Sequence, residues 1–336
     1  MNIAASLPIF PAATASDPFP VDQREWDLTE KWITPDLDRI IEGLTKIRAK
    51  IDEQFEKEKA VTLEGEQAAH LAGLKDIRQY PYGYCDVIRD MVWNAIGDNM
   101  RHPNKESRYF SSFQFFLQEG GHARKIWGEL TYGPYFQNAI QIGAYYIDAA
   151  NDTVDVTKPK LDVKYLKDAS MRSVDDYEQY FDITDSYYDW DVFPNAFFPE
   201  LAVLFPGVAR YRKTGALMLC DIAEPLVLKN LNAVGALAGR FLAVPTYKLK
   251  SPSPVELEKI EAFRAKIWPK LLAEGIVRHP VIEADLAAVS SAGALGEWLR
   301  KQQPRQEYRR AVRRLDSFRK HVSLELRKYS LAYSGA

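Results

Sequence analysis

In the stretch RQYPYGYCDVIRDMVWNAIG, residues 78–97, a Pro/Gly turn runs into Cys85, and Val87, Ile88, Met91, Val92, Ala95 and Ile96 then follow at helical spacing. The pattern predicts a helix beginning at or beside the cysteine. A helix N-terminus carries partial positive charge, which favours a thiolate, and the thiolate rather than the thiol is the nucleophile. The same pattern also suits a small apolar residue at the start of a buried helix, so the surroundings decide between the two. The five histidines, at 70, 102, 122, 279 and 321, show no His-x-x-x-His spacing, and the two cysteines form no Cys-x-x-Cys motif. No metal is expected on that basis. GGHARKIWG lacks the strand-turn-helix setting of a phosphate loop, and Gly120-Gly121 reads as a helix stop, so no nucleotide or other cofactor is expected either.

YPYGYC, residues 80–85, resembles the aromatic-Pro-x-Gly-x-Cys entry to the nucleophile helix in bacterial transglutaminase-like proteins of the papain-like superfamily. QNAIQIGAYYIDAAND, residues 137–152, resembles their hairpin, in which a His-Ala start to one strand is followed by a turn and a strand ending in Ile-Asp. The resemblance covers roughly residues 78–152. It implies Cys85 as the nucleophile and Asp148 as the orienting carboxylate. It also implies that Gln79, six residues before the cysteine, joins the Cys85 backbone N–H in holding an oxyanion. Where the family places histidine this chain has Gln137-Asn138, and the closest match in the text puts Asn138 there.

Gly143 permits several turn types, so the hairpin register is open and both Gln137 and Asn138 are candidates to face the sulfur. An amide has no titrating proton and cannot act as a general base near neutral pH. Three resolutions stand side by side. His122, at the start of the preceding strand, reaches the sulfur from another direction; or the helix and hydrogen bonds alone stabilise the thiolate; or the site is inactive and retained for binding. The implied function is cysteine-centred acyl transfer or amide hydrolysis of an unknown substrate. The alternative is an inactive relative that binds in the same cleft.

The elements that would position these groups are legible. Leu37, Ile40, Ile41, Leu44, Ile47, Ile51 and Phe55 predict an amphipathic helix behind Thr34 and Pro35, and LEGEQAAHLAGLKDI predicts a second helix leading to the Gln79–Cys85 turn. RYFSSFQFFLQEGG reads as helical or mixed, and HARKIWGEL, YFQNAIQIG and AYYIDAAND read as short strands. These elements imply an α+β fold class, and the resemblance implies a papain-like or transglutaminase-like core with the cysteine helix packed on an antiparallel sheet; a mainly helical unit follows. The expected limits are an extended arm over 1–25, the α+β domain over 26–165 and the helical domain over 172–336, with a polar boundary near 155–172.

Ser253, Pro254 and Glu256 form a capping box, and Tyr308, Val312, Leu315, Val322, Leu326 and Tyr329 mark a long terminal helix. Residues 174–191 carry seven acids and no Lys or Arg, whereas Arg300–Lys328 holds eleven Lys/Arg against three acids. Pairing between these two segments explains both; an interaction scaffold built on the basic helix is a more distant alternative.

Hydrophobic content of 46%, charged content of 27% and a net charge of −2 describe a globular protein without global attraction to nucleic acid or an anionic membrane. A small-molecule or peptide substrate is the expected partner. No run approaches the ~18 apolar residues of a membrane span. The N-terminal stretch lacks the basic start of a signal peptide, and two cysteines make no disulfide framework, so a cytoplasmic location is expected.

Overall fold

The computed structural model describes residues 17–64, 77–188 except 103, 132 and 134, 190–195, 206–220, 253–266 and 322–332, with single positions at 226, 229, 230, 237 and 269. The chain divides into two compact units, Met1–Ser173 and Val174–Ala336.

In the first unit the chain enters α1 (Gln23–Trp32), where the Asp22 carboxylate caps the helix by accepting from the Glu25 N–H at 2.8 Å. A 3-10 turn over Thr34–Asp36 precedes α2 (Leu37–Glu64). Thr34 therefore does not cap α2; its hydroxyl donates to Glu30 at 2.9 Å instead. The predicted stripe Ile40, Leu44, Ile47, Ile51 and Phe55 is buried. The predicted helix over 63–77 lies almost wholly outside the described residues. Then come α3 (Cys85–Arg101), α4 (Ser111–Gln118), β1 (Ala123–Leu130), β2 (Tyr135–Ile142), β3 (Tyr145–Asp148), β4 (Asp162–Tyr165) and β5 (Met171–Arg172).

The five strands form one antiparallel sheet in the order β4-β3-β2-β1-β5. Helix α3 lies on β2 and β1. Because side chains alternate along a strand, each face is read directly from the register. One face carries Ile140, Ile142, Tyr145 and Ile147, packed with Ile88, Val92 and Ile96 of α3 and Ile40 and Leu44 of α2 in the main core. The other carries Ile126, Ala139 and Tyr146, packed with Ala169, Leu166 and Met171 in a small second cluster. The polar stretch expected as a boundary instead contains β4 and β5, one at each edge of the sheet. Edge strands tolerate polar residues because part of their surface meets water.

The register that sequence left open is fixed by a two-residue turn, with Ile142 opposite Tyr145. Gly143 adopts φ +55, and a Cβ there would fall 2.2 Å from the Thr29 hydroxyl oxygen, which accepts the Ala144 N–H at 3.0 Å. A side chain at 143 is excluded by both conformation and space.

The second unit contains α5 (Tyr177–Tyr187), β6 (Trp190–Pro194), β7 (Gly207–Tyr211), β8 (Leu217–Leu219) and α6 (Pro254–Lys266). Strands β6-β7-β8 form an antiparallel sheet that the mainly helical reading left out. Runs of three to five residues are too short to display a two-residue period. The capping box forms as expected: Ser253 N–H donates to Glu256 at 2.6 Å and Glu256 N–H to the Ser253 hydroxyl at 3.3 Å. Of the expected terminal helix only residues 322–332 are described. They are helical, with Val322 and Leu326 buried, and the hydroxyls of Ser330 and Ser323 accept the N–H groups of Leu217 and Leu219 at 3.0 and 3.2 Å. In the acidic segment, Asp191 pairs with Arg210 and Arg212, Asp185 with Arg212, and Asp175 with Lys229. Residues 300–321 of the basic stretch, the partner expected for this segment, lie outside the described residues.

Candidate functional site

The turn before Cys85 is held from below. Tyr80 is buried, stacks on Phe55 with ring centroids 4.4 Å apart, and donates its hydroxyl to Asp52. Burial, together with that carboxylate, pushes its phenol above the ordinary range. Gly83 N–H donates to the Thr153 carbonyl at 3.1 Å. Helix α3 then starts at Cys85, with Tyr84 as N-cap residue and no side-chain cap from it. The sulfur is half-buried at the helix start.

On β2 the register places Asn138, not Gln137, on the face covered by α3. The Asn138 Nδ2–H donates to Cys85 Sγ at 3.3 Å. Its Oδ1 accepts from Nη1 of Arg89, one helical turn beyond the cysteine. This pair fixes which way the carboxamide points. A guanidinium only donates, so the amide oxygen must face Arg89 and the amide N–H must face the sulfur. Asn138 is buried and Arg89 is 6% exposed. The guanidinium also meets Asp90 through Nε at 2.8 Å and Nη2 at 2.7 Å, and Lys125 reaches the other oxygen of Asp90 at 3.0 Å. Two largely buried cations thus share one carboxylate whose side chain is 43% exposed. Trp127, the register partner of Asn138, stacks on Phe136 at 5.7 Å on the same face. The arrangement offers the sulfur a locked hydrogen-bond donor, which stabilises negative charge and accepts no proton.

Gln137 and Asp148 lie on the opposite face. The Gln137 amide donates to Asp148 Oδ2 and to the Tyr146 hydroxyl, each at 2.7 Å, and Asp148 Oδ1 accepts the Ala150 N–H at 2.8 Å. The expectation that Asp148 orients the residue facing the cysteine is therefore corrected. Register sets it beside Gln137, while Ala149 takes the face of Asn138. Asp148 is 5% exposed, and burial pushes its carboxyl up to about 6 against the lowering effect of the Ala150 and Gln137 donors.

His122 does not reach the sulfur. It stands five residues along the chain from Trp127, roughly 16 Å at the usual strand rise. Its Nδ1 and backbone N–H each meet the buried Glu25 carboxylate at 2.7 Å, and its ring stacks on Phe19 at 4.1 Å. Phe19, from the segment expected to be a loose arm, is further held by the Gln141 amide, which accepts its N–H at 2.6 Å and donates to its C=O at 2.9 Å. Gln79 is exposed in a 3-10 turn, where its carbonyl accepts the Tyr82 N–H at 2.7 Å.

Sequence reasoning passed over Arg89, Asp90 and Lys125. The available signal was an arginine four residues after the cysteine, which a helix places on the same face. Among the described residues no group of three or more His, Cys, Asp or Glu is placed to hold a metal ion, and no helix is long and apolar enough to cross a membrane. Comparison with protein-family models, curated proteins and solved structures found no match for this chain.

Proposed function

We propose that the first unit is an inactive relative of the transglutaminase-like and papain-like cysteine enzymes, in which the cleft at Cys85 serves binding rather than amide chemistry. One observation carries this reading: Arg89 fixes the Asn138 carboxamide so that an N–H, not a lone pair, faces Sγ. Amide cleavage by a thiol needs a base to take the proton and an acid to deliver it to the leaving nitrogen. The residue in the histidine's place supplies neither. The carboxylate in the family's Asp position stands on the wrong face to support one.

A second reading rests on the N–H···S hydrogen bond itself. A thiolate held by Asn138 and the helix start attacks an acyl carbon, with the Cys85 N–H and Gln79 as candidate oxyanion donors. The leaving group must then depart without a proton donor, which restricts this reading to activated acyl groups and excludes plain amides.

The test is the pH profile of Cys85 alkylation, together with mass spectrometry of the protein after exposure to amide, aryl-ester and thioester probes. Wild type is expected to form no acyl adduct with the amide, and Asn138→His is expected to raise alkylation near neutral pH while Gln137→His leaves it unchanged. An acyl-Cys85 adduct from the amide probe in wild type overturns the inactive reading. An adduct from the thioester alone supports the second.

A further inference from the structure

The carboxylate displaced from the sulfur's side of the sheet is wired to the sulfur's turn by backbone. Asp148 Oδ1 accepts the Ala150 N–H at 2.8 Å. The Ala150 carbonyl accepts both the N–H and the hydroxyl of Thr153, at 3.0 and 2.8 Å. The Thr153 carbonyl in turn accepts the N–H of Gly83, two residues before Cys85, at 3.1 Å. Arg48, itself buried, clamps the same loop from beneath: Nε donates to the Ala149 carbonyl at 3.0 Å and Nη2 to both oxygens of Asp152 at 2.9 and 3.1 Å. The loop therefore has few ways to rearrange, and the Asp148 acceptor is one of its fixed ends.

We propose that Asp148 is a positioning residue for the Cys85 turn, its charge state setting how firmly the 149–153 loop holds the Gly83 backbone. A charged carboxylate accepts a shorter and stronger hydrogen bond than a neutral carboxyl. The groups that bear on Asp148 are Asp162, directly opposite on β4, Asp152 in the loop, and Tyr146 through the shared Gln137 amide. Lys164 offsets part of this acidity by pairing with Asp162 at 2.6 Å and lying over the Tyr146 ring. Arg48 offsets the charge of Asp152 while also pairing with Asp52. The elevated carboxyl of Asp148 brings its titration to about pH 6, close to neutral conditions.

The bearing of this linkage on function rests on reading the Cys85 cleft as the working site; the linkage itself does not, and is measured without thiol chemistry. Amide hydrogen exchange at Ala150 and Gly83, corrected for intrinsic rates, is followed from pH 5 to 7.5. An opening that breaks the Ala150 bond while Asp148 stays buried removes a donor that favours the charged carboxylate. Wild-type protection against this local opening should therefore rise about fivefold or more across pH 6, opposite in sign to the effect of the same group on global unfolding. Asp148→Asn keeps the acceptor but removes the charge, so its protection should be flat with pH. Asp162→Asn removes the facing charge and should move the wild-type step to lower pH. A flat wild-type profile, a step that survives in Asp148→Asn, or a midpoint unmoved by Asp162→Asn overturns the proposal. The third comparison decides the matter if Asp148→Asn does not fold.

Discussion

The two faces of the five-stranded sheet handle polar groups in opposite ways. Under α3, Asn138 joins Cys85 to the Arg89 guanidinium, which shares with Lys125 a carboxylate, Asp90, that is half in water. On the other side Asp148 is a nearly sealed acid, served by neutral amides and faced by a second acid across the strand pair. Each face buries a carboxylate, Glu129 paired with Arg172 on the first and Asp148 served by amides on the second. Adjacent residues, Gln137 and Asn138, belong to these contrasting environments only because a strand turns successive side chains to opposite sides. Chemical likeness along the chain is therefore a poor guide to who meets whom.

The join between the faces is the strongest place to break the contrast. Replacing Arg48 by Met removes the cation that holds Asp152 and the Ala149 carbonyl, leaving a buried carboxylate unpaired. This should cost about 3–5 kcal/mol in chemical denaturation. An effect below about 1 kcal/mol, the range of an exposed pair, means that water reaches Asp152.

Asp148→Ala strips partners from Gln137 and Ala150 and should cost roughly 1–3 kcal/mol. The pH dependence sharpens this. The folded carboxyl titrates near 6, above the value of about 4 expected when unfolded. Between those limits the folded chain keeps a proton that the unfolded chain has lost, so this group's contribution to stability falls as pH rises from 4 through 6 and is level above. The change amounts to at most about 3 kcal/mol. Denaturation midpoints across that window should show the slope in wild type and its loss in Asp148→Asn.

The smallest effect belongs to the cationic face. Arg89→Met releases the Asn138 carboxamide to turn, so the sulfur loses a fixed donor. The stability change should be about 1 kcal/mol, because Asp90 keeps its contact with water and with Lys125. Alkylation of Cys85 near pH 7 should slow by roughly two- to tenfold relative to wild type. An unchanged rate removes Arg89 from any part in setting the sulfur's surroundings.

Local signals carried much of the first unit. The stripe from Ile40 to Phe55, the helix beginning at Cys85 and the strands around Asn138 and Tyr146 follow from apolar period and turn residues. The choice between Gln137 and Asn138 depended on something no local window contains. Thr29, more than a hundred residues upstream of Ala144, holds the turn that sets the register. Arg89 escaped notice for a similar reason: its role is defined by Asn138 across 49 positions of chain. Within the described residues the acidic segment meets Arg210 on the adjoining strand β7 and Arg212 just past its end, while most of the basic stretch expected to pair with it lies outside them.

The serines on the terminal helix have a consequence for association. Among the described residues β8 is an edge strand of its sheet, and an edge with open N–H groups invites a strand from another molecule. Ser323 and Ser330, two helical turns apart, occupy the N–H groups of Leu219 and Leu217, and Ser323 also donates back to the Leu219 carbonyl at 3.3 Å. The helix therefore does for this edge what another strand would do, with hydroxyls in place of backbone. It offers no further edge in return, so growth of the sheet stops there.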